Sequence, residues 1–439
     1  MRIMNFPWIL VLVVHGLSLR AMDHYVLRIT DPSARLVQVE ATIHTTDPML
    51  LMSPFGADHL EHGWATFVQD LKAMVDGANV PVERMPGGAL KIGSEPGKVI
   101  ALSYTVRMEH DLTSWPFGSD EAAYVKGDMM MSTGNALFIT RLDLDSALVR
   151  FEMPGNYSVA TAWQPSGPHS FLVRGAEELV WTVLILGDFQ RHELEAGDMR
   201  VILAFGNDLQ DAKEALIDIT TRAIHTYTTY YGGPPRTNTA SRTYLQVINV
   251  DTTFEGGGAA FTNSMSILLS DHPATCDTIS TCCWHHIIVH ELGHLWNGYS
   301  LTVDEIDQWF QEGFTDHLAF RLQRDIGLFT EAQWRSFLTE KEQEAQAIRQ
   351  ATAVSLAKAG EDKGANYHLI YSGGFQFAHR LNESIAARTN KHYDLLDVMR
   401  SLYGTHAGTG IPVDRVVLQA SAERICTCDL QDLFREMLE

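Results

Sequence analysis

Apolar and polar positions alternate through the front half of the chain. Residues 25–29, 36–43, 99–106, 147–153, 179–186 and 199–205 are β-branched, partly alternating runs separated by Gly, Pro, Asp and Asn clusters, which is how strands joined by turns read. One stretch in this region, 64–75, carries its apolar residues at helical spacing and predicts a helix. The pattern predicts an all-β front of sandwich type over 22–206. The period changes at Asp208. Residues 209–231 predict a long helix stopped by Gly232-Gly233-Pro234-Pro235. A strand follows at 243–250, then the run Gly256-Gly257-Gly258 and a second apolar run at 265–269. From Trp284 onward the spacing is helical, over 284–297, 307–327, 331–350, 366–388, 392–402 and 412–438. The chain therefore divides into a β-rich front (22–206), a mixed middle (207–328) and a helical rear (329–439), a multidomain α+β plan.

A length of 439 residues exceeds what one hydrophobic core serves. Lys and Arg number 33 against 54 Asp and Glu, a net charge of −21. Such a surface has no general attraction for phosphate backbones or anionic lipid, which argues against nucleic-acid and peripheral-membrane roles. The apolar run over 8–19 follows Arg2 and precedes the small Ala21. It is too short to span a bilayer and suits a secretory signal over 1–21. The expectation is an exported protein, periplasmic or secreted, with no stable membrane span once the signal is removed. The five cysteines, Cys276, Cys282, Cys283, Cys426 and Cys428, form two clusters without a metal or redox spacing. Cys276 could pair with Cys282 or Cys283, and the odd number leaves at least one thiol free or intermolecular.

Candidate chemistry lies in His290-Glu291-Leu292-Gly293-His294. Residues four apart share a helix face, so both imidazoles can converge on one ion, with Glu291 beside them as a base for a water. Two histidines need a third protein ligand that leaves a fourth position open. Glu312, in Trp309-Phe310-Gln311-Glu312-Gly313-Phe314-Thr315-Asp316, is 18 positions beyond His294, far enough for an antiparallel helix to return past the first. Asp316 lies on the same face as Glu312 and can accept the second N–H of a ligand histidine. His286 continues the histidine stripe, but three successive turns span about 12 Å, too far for one ion. His285 and His286 are therefore read as structural.

The segment from His290 through Trp296-Asn297-Gly298, followed by Trp309 to Thr315, resembles the glycyl aminopeptidase family of zinc metallopeptidases, gluzincins related to thermolysin and to the aminopeptidase N family. The resemblance extends to Tyr371-Ser372-Gly373-Gly374, with Gly373 where the family has lysine, and to the segment beginning at Asp394. It implies a β-sandwich-like N-terminal domain, a thermolysin-like mixed α/β catalytic domain and a C-terminal helical domain. It also implies one Zn2+ per chain, a peptide substrate, Glu291 as general base and Tyr371 as the hydrogen-bond donor to the oxyanion. Gly256, Gly257, Gly258, Ala259 and Ala260 correspond to the strand edge along which substrate lies.

Three departures from the family stand out. Ala260 replaces the glutamate that receives the substrate's α-amine, with Glu255 the nearest carboxylate before the glycines. The interval from His294 to Glu312 is short, and the chain ends at Glu439 without the PDZ-like domain many members carry. Three readings follow: an exported aminopeptidase-like zinc peptidase, a catalytically quiet zinc-containing peptide-binding protein, or an endopeptidase or non-peptide metallohydrolase freed from the amine anchor by Ala260. Oligomeric state is not encoded in any of these patterns.

Overall fold

Alternation at 36–43 becomes the strand Leu36–His44, which buries Val37, Val39, Ala41 and Ile43 and turns Gln38 and Glu40 to solvent. It sits between Asp23–Arg28 and Val99–Arg107 in an eight-stranded sheet. A four-stranded sheet containing Met129–Thr133 and Val183–Gly187 shares its core, which is closed by Trp64, Phe138 and Trp163. This β-rich region precedes a mixed α/β region and a helical rear. The computed structural model describes residues 22–439 except 31–33, 45–46, 111–114, 116–121, 237–240, 254–255 and 276–283. Residues 1–21, where a signal is expected, and Glu255, Cys276, Cys282 and Cys283 lie outside the described residues. Among the described residues no helix is long and apolar enough to cross a membrane.

Three local expectations are corrected. Residues 64–75 are a short 3-10 turn, Gly63–Phe67, followed by the strand Val68–Val75 paired with Val99–Arg107. Its register slips between Gln69 and Lys72, and Asp70 has a φ of 52°. A bulge inserts an extra residue into the period of two, and this gave the apolar positions their helical look. The run 179–186 opens with the helical turn Gly175–Val180 before the strand Val183–Gly187. The last helix is two, Arg415–Cys426 and Gln431–Leu438, divided where Thr427 takes a left-handed conformation with a φ of 51°. A disulfide joins Cys426 to Cys428 across that break.

A five-stranded sheet carries the next layer, in the order Gln190–Ala196, Met199–Phe205, Thr243–Val250, Ser264–Leu269, Gly257–Phe261. The 190–205 hairpin therefore belongs with this sheet rather than with the front that the sequence pattern closed at 206. Met199–Phe205 runs parallel to Thr243–Val250, a pairing that needs a crossover, and the helix Lys213–Tyr231 supplies it. Strand periodicity identifies strands but not their partners. Gly257–Phe261 lies at the sheet edge, antiparallel to Ser264–Leu269.

Helices Trp284–Gly293, Gln308–Asp325 and Gly374–Arg388 pack with Lys213–Tyr231 around one core containing Tyr227, Trp296, Trp309, Phe314 and Phe377. The second and third of these touch backbone to backbone. A Cβ on Gly313 would come within 2.4 Å of the Gly374 backbone, and one on Gly374 within 2.4 Å of the Trp309 carbonyl oxygen. Only glycine permits that approach, and it brings the segment bearing Tyr371 against the helix bearing Glu312.

Candidate metal centre

His290, Glu291 and His294 sit at and just beyond the C-terminal end of the Trp284–Gly293 helix, and all three are buried. Glu312 and Asp316, one turn apart on Gln308–Asp325, are buried too. Asn297 ties the two helices together. Its side-chain amide donates to the carbonyls of Phe310 and Gln311 and to the Thr315 hydroxyl.

Three donor atoms converge. His290 Nε2 lies 3.1 Å from His294 Nε2, and Glu312 Oε2 lies 3.4 Å from the first and 3.3 Å from the second. The far nitrogens are engaged elsewhere: His290 Nδ1 faces Asp316 Oδ1 at 3.3 Å, and His294 Nδ1 donates to the Asn297 carbonyl at 3.1 Å. This fixes both imidazoles with Nε2 inward, the arrangement that outer partners impose on metal-binding histidines. Two imidazole nitrogens and one carboxylate oxygen at such spacing match the donor set of a hydrolytic zinc site. The residues present therefore fit the ion.

Burial and charge oppose each other here. Burial alone would keep His290 neutral, but bonds to Asp316 and Glu312 raise its pKa to about 10. Burial would also raise Glu312, yet Lys363 and His294 hold it well below the usual range. Asp316 is held low against its burial by His286 and His290. Glu291 is pushed up by burial, with His294 and His290 pulling the other way. A carboxyl whose pKa is raised toward neutrality suits proton transfer.

The edge strand presses on Glu291: a Cβ on Gly258 would lie 2.6 Å from Glu291 Cγ. Ala260, two residues on, shares that strand face, and its carbonyl accepts from the Tyr299 hydroxyl at 2.6 Å. Gly257 and Ala259 alternate with them, while Gly256 precedes the strand. Tyr371 lies in a π-helical turn, Leu369–Gly373, a feature that recurs at functional sites. Its ring stacks on His290 with centroids 5.7 Å apart. Burial and the nearby Glu312 raise its pKa far above the ordinary value, so the hydroxyl keeps its proton at neutral pH.

Sequence reasoning missed several contributors. His286 Nε2 donates to Asp316 Oδ1 at 2.7 Å, and its Nδ1 accepts from the Gln323 amide. Lys363 donates to Glu312 Oε1 at 2.7 Å. Tyr299 and the Asn297 carbonyl also went unnoticed. His286 had a signal in its i, i+4 spacing to His290; Lys363, from a separate turn, had none.

Residues 216–393 match the family model of the peptidase family M1 domain, and residues 24–180 that of the peptidase M61 N-terminal domain. No curated protein matches the chain by sequence. An aminopeptidase N family protein from Idiomarina loihiensis has the same fold, with a TM-score of 0.81 at 17% identity over 95% of this chain and 76% of that one. An M1 zinc metallopeptidase from Deinococcus radiodurans, a mutant bound to a Tyr-Ser-Ala substrate, aligns with a TM-score of 0.57 at 14% identity over 95% of this chain and 93% of its own.

Proposed function

We propose that this chain, a zinc metallopeptidase with a peptidase family M1 domain, hydrolyses peptide bonds with His290, His294 and Glu312 holding the metal, Glu291 as the base and Tyr371 as the oxyanion donor. The observation that carries this reading is the convergence of three buried donor atoms within 4.8 Å of one another, beside a fourth buried group, Glu291. When bound, zinc supplies a Lewis acid that polarises a carbonyl and acidifies a water.

The chain's own groups do the remainder. Glu291 accepts the proton of the attacking water and can return it to the departing amine. The Tyr371 hydroxyl, protonated at neutral pH, donates to the oxygen that gains charge as the carbonyl becomes tetrahedral. The edge strand Gly257–Phe261, apart from the Ala260 carbonyl that Tyr299 holds, offers backbone groups to an extended peptide. The tripeptide-bound Deinococcus protein shares the fold and supports a peptide as the substrate class.

Ala260 bears on the mode of cleavage. An ammonium in a partly desolvated cleft is costly without a partner, and this face of the strand presents a methyl group in place of the family's carboxylate. The enzyme should therefore discriminate weakly between free and blocked N-termini. Peptides with free and N-acetylated ends test this. The expected kcat/KM ratio lies well below the roughly hundredfold that a charge pair worth about 2.7 kcal/mol would give. A ratio far above that would return the enzyme to strict aminopeptidase action. Export is proposed from residues 1–21 alone. Intact Met1 on soluble cytoplasmic protein from the native host would remove that proposal.

A further inference from the structure

The two oxygens of Glu312 do different things. Oε2 completes the triangle with His290 Nε2 and His294 Nε2, at 3.4 and 3.3 Å. Oε1 points the other way and accepts from Lys363 Nζ at 2.7 Å. The carboxylate is 4% exposed, whereas the lysine side chain that reaches it is 44% exposed.

Lys363 is not a loose surface arm. Its turn is closed by its own bonds: Ala365 N donates to Asp362 Oδ1 at 3.0 Å, and the Asn366 amide donates to the carbonyls of Asp362 and Ala359. A Cβ on Gly360 would lie 2.2 Å from the Ile306 carbonyl oxygen, so the turn is pressed onto backbone. Ile306 belongs to the 3-10 turn Glu305–Asp307, which runs directly into the helix of Glu312. Lysine and glutamate are thus mounted on one frame.

From this geometry we propose that Lys363 is a positioning residue for the metal site: by holding Oε1 it presents Glu312 to zinc through Oε2 alone. The proposal rests on the ligand set given above. Two effects of the ammonium oppose each other. Its charge repels a dication, while its hydrogen bond, beside the Tyr371 side chain that also meets Glu312, holds the buried carboxylate against turning or offering both oxygens. Orientation prevails, because the exposed side of the lysine is screened by solvent and the carboxylate it holds is not. A partner of this kind is worth about 10–100-fold in metal affinity. Fold stability is not its purpose, since a part-exposed ion pair contributes little.

The test uses the full chain, stripped of metal, with zinc affinity read by competition against a chelator and cobalt(II) as a spectroscopic substitute. Lys363→Met should weaken zinc by about 10–100-fold. The visible bands of its cobalt form should lose intensity as Glu312 contributes a second oxygen and the coordination number rises. Lys363→Arg, which keeps a charged donor, should restore affinity and spectrum toward the parent. Equal or tighter zinc binding by Lys363→Met, with an unchanged cobalt spectrum, overturns the proposal and leaves the ligand set standing. A parent chain that binds no zinc overturns both.

Discussion

The Nε2 atoms of His290 and His294 stand 3.1 Å apart, a separation that suits one shared proton or one shared ion. Without metal the proton is present, because Asp316 and Glu312 outweigh burial and keep His290 charged up to about pH 10. Zinc must displace it. Apparent zinc affinity should therefore rise with pH below that value, by about tenfold per unit for one proton released. Chelator competition between pH 6 and 8, at roughly the unperturbed histidine range and above it, reads the slope; a flat profile contradicts the assignment. The metal-free protein should behave in the opposite sense. The folded pKa lies above the ordinary 6.5, so the stabilisation is complete below 6.5 and is lost as pH rises toward 10.

Gly258 leaves no room for a side chain beside Glu291. Gly258→Ala should displace the Glu291 carboxylate while leaving the ligands in place. We expect unchanged zinc content and a fall in kcat of roughly 10²-fold, the scale for a base moved by about 1 Å. Parent-like turnover would show that Glu291 does not depend on this contact.

Tyr371→Phe removes a hydroxyl but keeps the ring stacked on His290. Zinc binding and KM should hold while kcat falls by about 10²–10³-fold, the loss typical of one oxyanion donor. Equal losses in zinc content and kcat would mark the hydroxyl as structural instead.

Much of the site was legible because its chemistry is local. The i, i+4 spacing of His290 and His294, and of Glu312 and Asp316, reflects helix geometry that no tertiary contact alters. The glycine run was tied to a strand edge only through the family resemblance, and the strand itself, Gly257–Phe261, is seen in the structure. What was hidden depends on through-space partners. The bulge near Asp70 disguised a strand as a helix, and parallel pairing drew the 190–205 hairpin into the sheet of the site. The π-turn around Tyr371 arises where two glycine-bearing segments meet. Lys363 reaches Glu312 from 51 residues away in sequence, and no periodicity records that contact.

The most direct measurement of the central claim compares the parent with Glu291→Gln, recording bound zinc and peptide turnover on the same samples. An unbiased peptide mixture with mass-spectrometric reading of new termini serves as substrate. The amide keeps the shape of Glu291 but cannot take a proton. We expect one zinc per chain in both proteins, new termini from the parent, and loss of nearly all turnover in the variant. Undiminished cleavage by Glu291→Gln would contradict the account.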